Sequence, residues 1–260
     1  MERMDQLIIF FVFLFGLSIG SFLNVCIYRI PRKKSLISPP SFCINCDSKI
    51  KFRDNIPVLS YLLLNGKCRN CKEKISRRYP LVELFSGLLT LLIYVKFGNS
   101  IDSLIAVLLI YISLIIIYID LEFLIIPNSL IIIGIAFIFI IQAVFHHYAW
   151  LDFLIAGLIG GGFLIFTAAL GKILFRKNSL GIGDIKYGVL LGLFLGIQNI
   201  VVGLSAAFVI AALISGGGSI LSGKKPVGKI PFGPFLSIGA MVSIFFGNEI
   251  SEIYINWVGL

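Results

Sequence analysis

Apolar residues in this chain fall in long, almost unbroken runs, and polar residues are confined to the gaps between them. That is neither the 3.6-residue stripe of a surface helix nor the alternation of a half-buried strand. Several runs approach the roughly 20 residues needed to cross a hydrocarbon layer. They predict eight membrane helices, at about 7–28, 80–97, 101–119, 128–146, 150–172, 184–198, 200–222 and 231–247. The sixth is the shortest. Glu2, Arg3 and Asp5 do not make a basic leader region, and no small-x-small cleavage site follows, so the first run reads as a retained helix. There is no internal repeat and no low-complexity tract. Gly160-Gly161-Gly162 and Gly216-Gly217-Gly218 sit inside predicted spans, where close helix packing or a local break is their expected use.

Composition narrows the class. Hydrophobic residues make up 58% of the 260 positions and charged residues 13%, with a mean hydropathy of +1.01. A soluble domain could not cover that much apolar surface. The fold class expected is an all-α polytopic membrane protein of about eight transmembrane helices.

Charge then orients it. Thirteen of the 22 Lys and Arg residues lie between Arg29 and Arg78. With that 29–79 loop in the cytoplasm, its side also collects Lys172, Arg176, Lys177, Lys186, Lys224, Lys225 and Lys229, while the opposite side keeps only Arg3 and Lys96. The positive-inside rule is satisfied, and both termini are expected outside. The net charge of +9 therefore reports topology and attraction to anionic membrane lipid, and gives no reason to invoke nucleic acid.

Of the 13 acidic residues, Glu2, Asp5, Asp102, Asp152, Glu249 and Glu252 fall on the outer side, and Asp47, Asp54 and Glu73 lie in the basic loop as solvated charges. Glu83, Asp120, Glu122 and Asp184 remain at the cytoplasmic boundary. Glu122 reads as a plain end-of-span charge. Asp120 closes an apolar run and Asp184 follows Gly181-Ile182-Gly183, and an ionisable group placed against hydrocarbon is a functional candidate by default. Two carboxylates brought together can share a proton, one serving as general base on a water while the other polarises a carbonyl. That chemistry is aspartyl proteolysis, with a bell-shaped pH profile. Sixty-three residues separate the two, so only the fold could pair them. A serine or cysteine protease is disfavoured because the two histidines, His146 and His147, fall on the outer side. An H-E-x-x-H zinc motif is absent. A proton-coupled transporter using the same aspartates is the rival from another class, but no paired halves with matching broken helices are visible.

Cys43, Cys46, Cys68 and Cys71 form C-x2-C-x21-C-x2-C in the basic loop. In a reducing cytoplasm, four thiolates around one structural zinc are favoured over two disulfides. Cys26, within the first helix, reads as packing.

Those residues resemble a known family. Gly181-Ile182-Gly183-Asp184-Ile185-Lys186 looks like the GxGD-x-K motif of type IV prepilin peptidases, and Asp120-Leu121 with Ile126-Pro127-Asn128 is similar to their first aspartate segment. Gly20-Ser21-Phe22-Leu23-Asn24-Val25, Tyr28-Arg29-Ile30-Pro31, Pro57-Val58-Leu59-Ser60-Tyr61, Ile75-Ser76-Arg77-Arg78-Tyr79-Pro80, Glu83 and Lys229-Ile230-Pro231-Phe232-Gly233-Pro234-Phe235 resemble further stretches of the family. The resemblance runs from Gly20 to Gly239. One departure is Asn128, where many members carry a second aspartate.

The resemblance implies a bacterial inner-membrane enzyme that cuts the short basic leader of prepilins or pseudopilins after a glycine, at the cytoplasmic face. Asp120 and Asp184 map onto its catalytic dyad, with Gly181, Gly183 and Lys186 as supporting motif. The four cysteines match the zinc-binding subset. It further implies methylation of the freed N-terminal amine with S-adenosylmethionine, tied to the N-terminal region. No Rossmann-type glycine fingerprint marks a site for that cofactor. The implied division is 1–79, the first helix with the four-cysteine loop, and 80–260, the transmembrane peptidase domain. A GxGD protease with a non-pilin substrate is the alternative within the class, against which the cysteine loop speaks.

Overall fold

A computed structural model describes residues 2–146, 149–175, 180–222 and 230–258. Its long elements are all helices: α1 Glu2–Arg29, α3 Arg78–Phe97, α4 Ile101–Phe123, α5 Asn128–Phe145, α6 Trp150–Phe175, α7 Ile182–Ser222 and α8 Gly233–Val258, with a short α2 at Leu59–Leu63. All but α2 are long and apolar enough to cross a membrane. The protein is a multi-pass membrane protein. Arg176, Lys177, Lys224, Lys225, Lys229 and His147, used above in assigning sides, lie outside the described residues.

The element boundaries follow local chemistry. After α4, Leu124 takes a left-handed φ of 55° and its amide donates to the Asp120 carbonyl at 2.9 Å, which satisfies one of the helix's last free carbonyls. Pro127 then biases Ile126 away from helix and starts α5. The glycine triplet of α6 packs and does not break the helix. A Cβ on Gly160 would strike the Gly188 carbonyl and one on Gly161 would strike Val189, while Gly162 faces open space. Gly216-Gly217-Gly218 are helical within α7.

The sixth and seventh expected spans are continuous in α7, a 41-residue element interrupted only at Gly196, where φ is 77° and ψ 174°. Its neighbours show that the chain turns back there. The Tyr187 hydroxyl meets Ser237 at 2.9 Å. Beyond the break the Ser243 hydroxyl donates to the Asn199 carbonyl at 2.6 Å, and the Phe208 ring packs on Phe232, centroids 5.1 Å apart. As α7 runs from 199 to 208, its α8 partners run back from 243 to 232. A Cβ on Gly203 would also touch Leu195 at 3.4 Å, whereas eight residues of straight helix span about 12 Å. Gly196 is thus the tip of a helical hairpin, and the eight expected segments are all present.

The chain forms two compact units, Met1–Ile115 and Ile116–Leu260. In the first, α1 and α3 pack through small residues. A Cβ on Gly16 would lie 2.8 Å from the Gly87 Cα, and one on Gly20 would lie 2.6 Å from the Glu83 Cα. Ser86 donates to the Gly16 carbonyl at 2.8 Å, and Thr90 pairs with Tyr111 at 2.8 Å. Such close approach is how helices associate where lipid removes the hydrophobic drive. In the second unit the same device joins α6 to the first arm of α7, where Gly192 meets Ala156 and Gly157 meets Leu193.

Candidate active site

Asp120 lies in the last turn of α4 and is 5% exposed. Its Oδ2 accepts a hydrogen bond from the backbone amide of Gly233, the first residue of α8, at 2.9 Å. Asp184 lies in the first turn of α7 and is half-buried. It closes a small reciprocal turn, its Oδ2 accepting from the Gly181 amide at 2.8 Å while its own amide donates to the Gly181 carbonyl at 3.1 Å. The two carboxylates stand within Coulombic range of each other. Each also sits at the amide end of a helix, α8 for Asp120 and α7 for Asp184, where the orphan N–H groups carry positive partial charge.

The rest of the sequence motif gathers around them. A Cβ on Gly183 would come within 3.1 Å of Ile126, and one on Gly181 within 3.3 Å of the Asp184 carboxylate, so the segment after α4 and the start of α7 meet where no side chain intervenes. Lys186 Nζ donates to Asn128 Oδ1 at 3.0 Å. Asn128 is therefore the anchor for the lysine of the motif, bound through a neutral amide. His146 ends α5 in a left-handed turn, and the 18 residues of α5 separate it from Asn128 by about 27 Å, far from either aspartate. One participant escaped the sequence reading: Gly233 showed only as part of an apolar turn. Glu83, which the sequence reading kept among the boundary carboxylates, belongs to the first unit, where it is 8% exposed and accepts from the Val58 amide at 2.7 Å.

The four cysteines converge in the first unit. Their sulfurs all lie within 4.8 Å of one another, compatible with the ~3.8 Å edge of a tetrahedron with Zn–S bonds of ~2.3 Å. They come from two copies of one knuckle. Cys43 and Cys68 donate their amides to the carbonyls of Ser48 and Glu73, at 2.9 and 2.8 Å. The bridges Phe42 to Lys49 and Lys67 to Lys74 close the two turns at matching positions. Asp47 and Lys72, each just after the second cysteine, take positive φ of 50° and 60°. All four are free thiols, and Cys43 and Cys71 approach only to 3.9 Å, so the disulfide alternative is not adopted.

Hydrogen bonding from the Ser48 hydroxyl and amide draws the Cys46 thiol down to about 6. The Cys71 and Asn70 amides lower Cys68, whereas burial pushes Cys43 up to about 11. These hydrogen bonds bias Cys46 and Cys68 toward the thiolate, the form that binds metal. Beside the knuckles, Arg69 grips Asp54 bidentately at 2.6–3.1 Å. Asp54 is not the solvated loop charge expected from sequence, its side chain being 9% exposed against 45% for Arg69.

The bacterial peptidase A24 N-terminal domain matches residues 14–97, and the type IV leader peptidase family matches residues 107–216. The chain belongs to the type IV leader peptidase family. It is an enzyme, a peptidase by that membership. Among its relatives, a prepilin leader peptidase/N-methyltransferase of Bacillus subtilis (strain 168) is 32% identical, covering 94% of this chain and 96% of its own. One of Legionella pneumophila with the same name is 32% identical, covering 94% and 93%. A third, of Pseudomonas putida, is 30% identical over 90% and 89%. No solved structure matches significantly.

Proposed function

We propose that this leader peptidase is an aspartyl endopeptidase of prepilins or pseudopilins, with Asp120 and Asp184 as its dyad. The supporting observation is the convergence of the two carboxylates, each held by a backbone amide, at the meeting of α4, α7 and α8. One carboxylate takes a proton from water as the water oxygen attacks the scissile carbonyl carbon. The other, protonated, donates to the carbonyl oxygen, and the proton then passes to the leaving amine. Gly181, Gly183 and Lys186 hold the Asp184 turn in place. The basic distribution read above supports a site at the cytoplasmic face of a bacterial plasma membrane with both termini outside. The leader is cut after glycine while the substrate's apolar helix stays in lipid.

The relatives' shared name and the family resemblance extend the reading to N-methylation. S-adenosylmethionine, when bound, would supply the methyl group for the freed amine. Residues 1–79 belong with that step and 80–260 with cleavage. Cys43, Cys46, Cys68 and Cys71 hold zinc as a closed structural site with no open position for chemistry.

The test is leader cleavage of a co-expressed prepilin by wild type, Asp120→Asn and Asp184→Asn. Asn preserves size and removes the carboxylate. Loss of cleavage in both, at normal membrane levels, is the expected result; near wild-type cleavage by either sinks the aspartyl mechanism.

A further inference from the structure

The first compact unit has an open-sided cavity of about 370 Å³ between the end of α1, the start of α3 and the cysteine loop. The volume lies within the roughly 300–1,000 Å³ typical of small-molecule sites. Nothing in the peptidase chemistry uses it. Asn24, Arg29 and Glu83 line it together with the rings of Tyr28, Tyr61 and Tyr79.

Three features mark it as built. Asn24 is 2% exposed and spends its amide nitrogen on the Tyr79 carbonyl at 3.0 Å, but its Oδ1 has no partner. A buried acceptor left open costs about 1–3 kcal/mol, so the position fits a donor from a ligand. Glu83 brings a buried carboxylate, fixed by the Val58 amide at 2.7 Å. Val58 itself is held at φ 60°, which a β-branched residue adopts only under constraint. Arg29 brings the opposite charge. It is 5% exposed, and its guanidinium is aimed by hydrogen bonds to the Ser35 and Pro39 carbonyls at 2.8 and 2.6 Å.

We infer that this cavity is the S-adenosylmethionine site, with Glu83 and Asn24 as its polar contacts. The inference rests on the N-methyltransferase reading above and extends its residues 1–79 to Glu83 at the start of α3. When bound, S-adenosylmethionine supplies a methyl group on a cationic sulfur. Its cationic groups suit Glu83 and the tyrosine faces, its carboxylate suits Arg29, and an amino or hydroxyl donor of the adenosine suits the open Asn24 oxygen. The residues lining the cavity therefore match a ligand that is zwitterionic at one end and aromatic at the other.

The test uses the full chain purified in detergent. A photoreactive azido-adenine analogue of S-adenosylmethionine is cross-linked and mapped by peptide mass spectrometry. Equilibrium binding of S-adenosylmethionine is measured for wild type, Glu83→Gln and Asn24→Ala, with the ligand-free Tm as folding control. Label on peptides within 21–83, and binding weakened about tenfold or more in each folded variant, is the expected result. If Asn24→Ala does not fold, the label and Glu83→Gln decide. Label in Ile116–Leu260, or wild-type binding by folded Glu83→Gln, overturns the site while leaving methylation standing, as mass spectrometry of the mature pilin N-terminus would show. A wild type that cleaves completely, yields only unmethylated product and binds no S-adenosylmethionine overturns the methyltransferase reading and the site with it.

Discussion

The carboxylate of Asp120 and the backbone amide of Gly233 are 113 positions apart and joined by a 2.9 Å hydrogen bond. That bond ties the end of α4 to the start of α8 and leaves no room for a side chain at the donor. A Cβ on Gly233 would lie 2.8 Å from Asp120 Oδ2 and 3.2 Å from the Ile116 side chain. Both neighbours are packed, Ile116 being wholly buried, so neither can yield freely. Gly233→Ala is therefore expected to displace the Asp120 carboxylate. A misplacement near 1 Å costs about 10²-fold in rate. Leader cleavage should fall by about that factor with kcat and not KM carrying the loss. Unchanged kcat would mean that the Gly233 contact does not position a reacting group.

The cysteine knuckles make a separate prediction about metal. Four sulfurs within 4.8 Å of one another would repel one another as thiolates unless a cation sat between them. Elemental analysis of the purified chain should find about one zinc per molecule. Any of Cys43→Ser, Cys46→Ser, Cys68→Ser or Cys71→Ser should abolish it, and should render residues 41–75 sensitive to limited proteolysis. Full zinc retention by a single Ser variant would point to another ligand set.

The Asp54–Arg69 pair predicts a pH dependence of the same loop. Arg69 holds the Asp54 carboxyl below its ordinary value of 3.8. A carboxylate whose folded value is depressed binds fewer protons folded than unfolded. The stability it contributes is present above pH 3.8 and is lost as the pH falls through the folded value. Hydrogen exchange at the Lys67–Lys74 turn should therefore accelerate below pH ~4 beyond its intrinsic trend. The Asp54→Asn protein should lack that increment, and high salt should shrink it in wild type. Acid release of metal affects both proteins alike, so the difference between them isolates the pair. Identical profiles would mean the bidentate contact contributes nothing.

Much of the fold was legible because lipid imposes a simple requirement. Every backbone polar group must be satisfied within a segment, so apolar runs of the right length become helices. Most span boundaries accordingly came out close, including Pro127 at the start of α5, but α8 runs on to Val258, well past the expected end at 247. The hairpin inside α7 also followed, since a 41-residue apolar element is about twice a bilayer crossing. Other features depended on distance in sequence. Asp120 and Asp184 stood out as isolated charges, but their amide partners could not, because a backbone donor carries no side-chain signature. Asn24 was visible as a polar residue in an apolar helix, yet the open oxygen that makes it informative exists only once Tyr79 has taken its nitrogen. Asp54 misled for the same reason: a loop carboxylate looks solvated until Arg69 is placed against it.

Gly196 offers the sharpest test of the helical hairpin. Its φ of 77° with ψ of 174° lies in a region that is essentially closed to residues with a Cβ. Gly196→Ala should cost ~1–3 kcal/mol, and Gly196→Val more, because the β-branch adds χ1 restriction to the same backbone strain. Gly162 is the internal control. It lies in regular helix, and a Cβ added there would meet nothing within 4 Å, so Gly162→Ala should be neutral or stabilise by up to ~1 kcal/mol through helix propensity. Thermal unfolding in detergent, followed by loss of helical circular dichroism, measures both. If Gly196→Ala unfolds at the wild-type temperature, the turn is not held at this residue, and α7 must tolerate another route between Leu195 and Asn199.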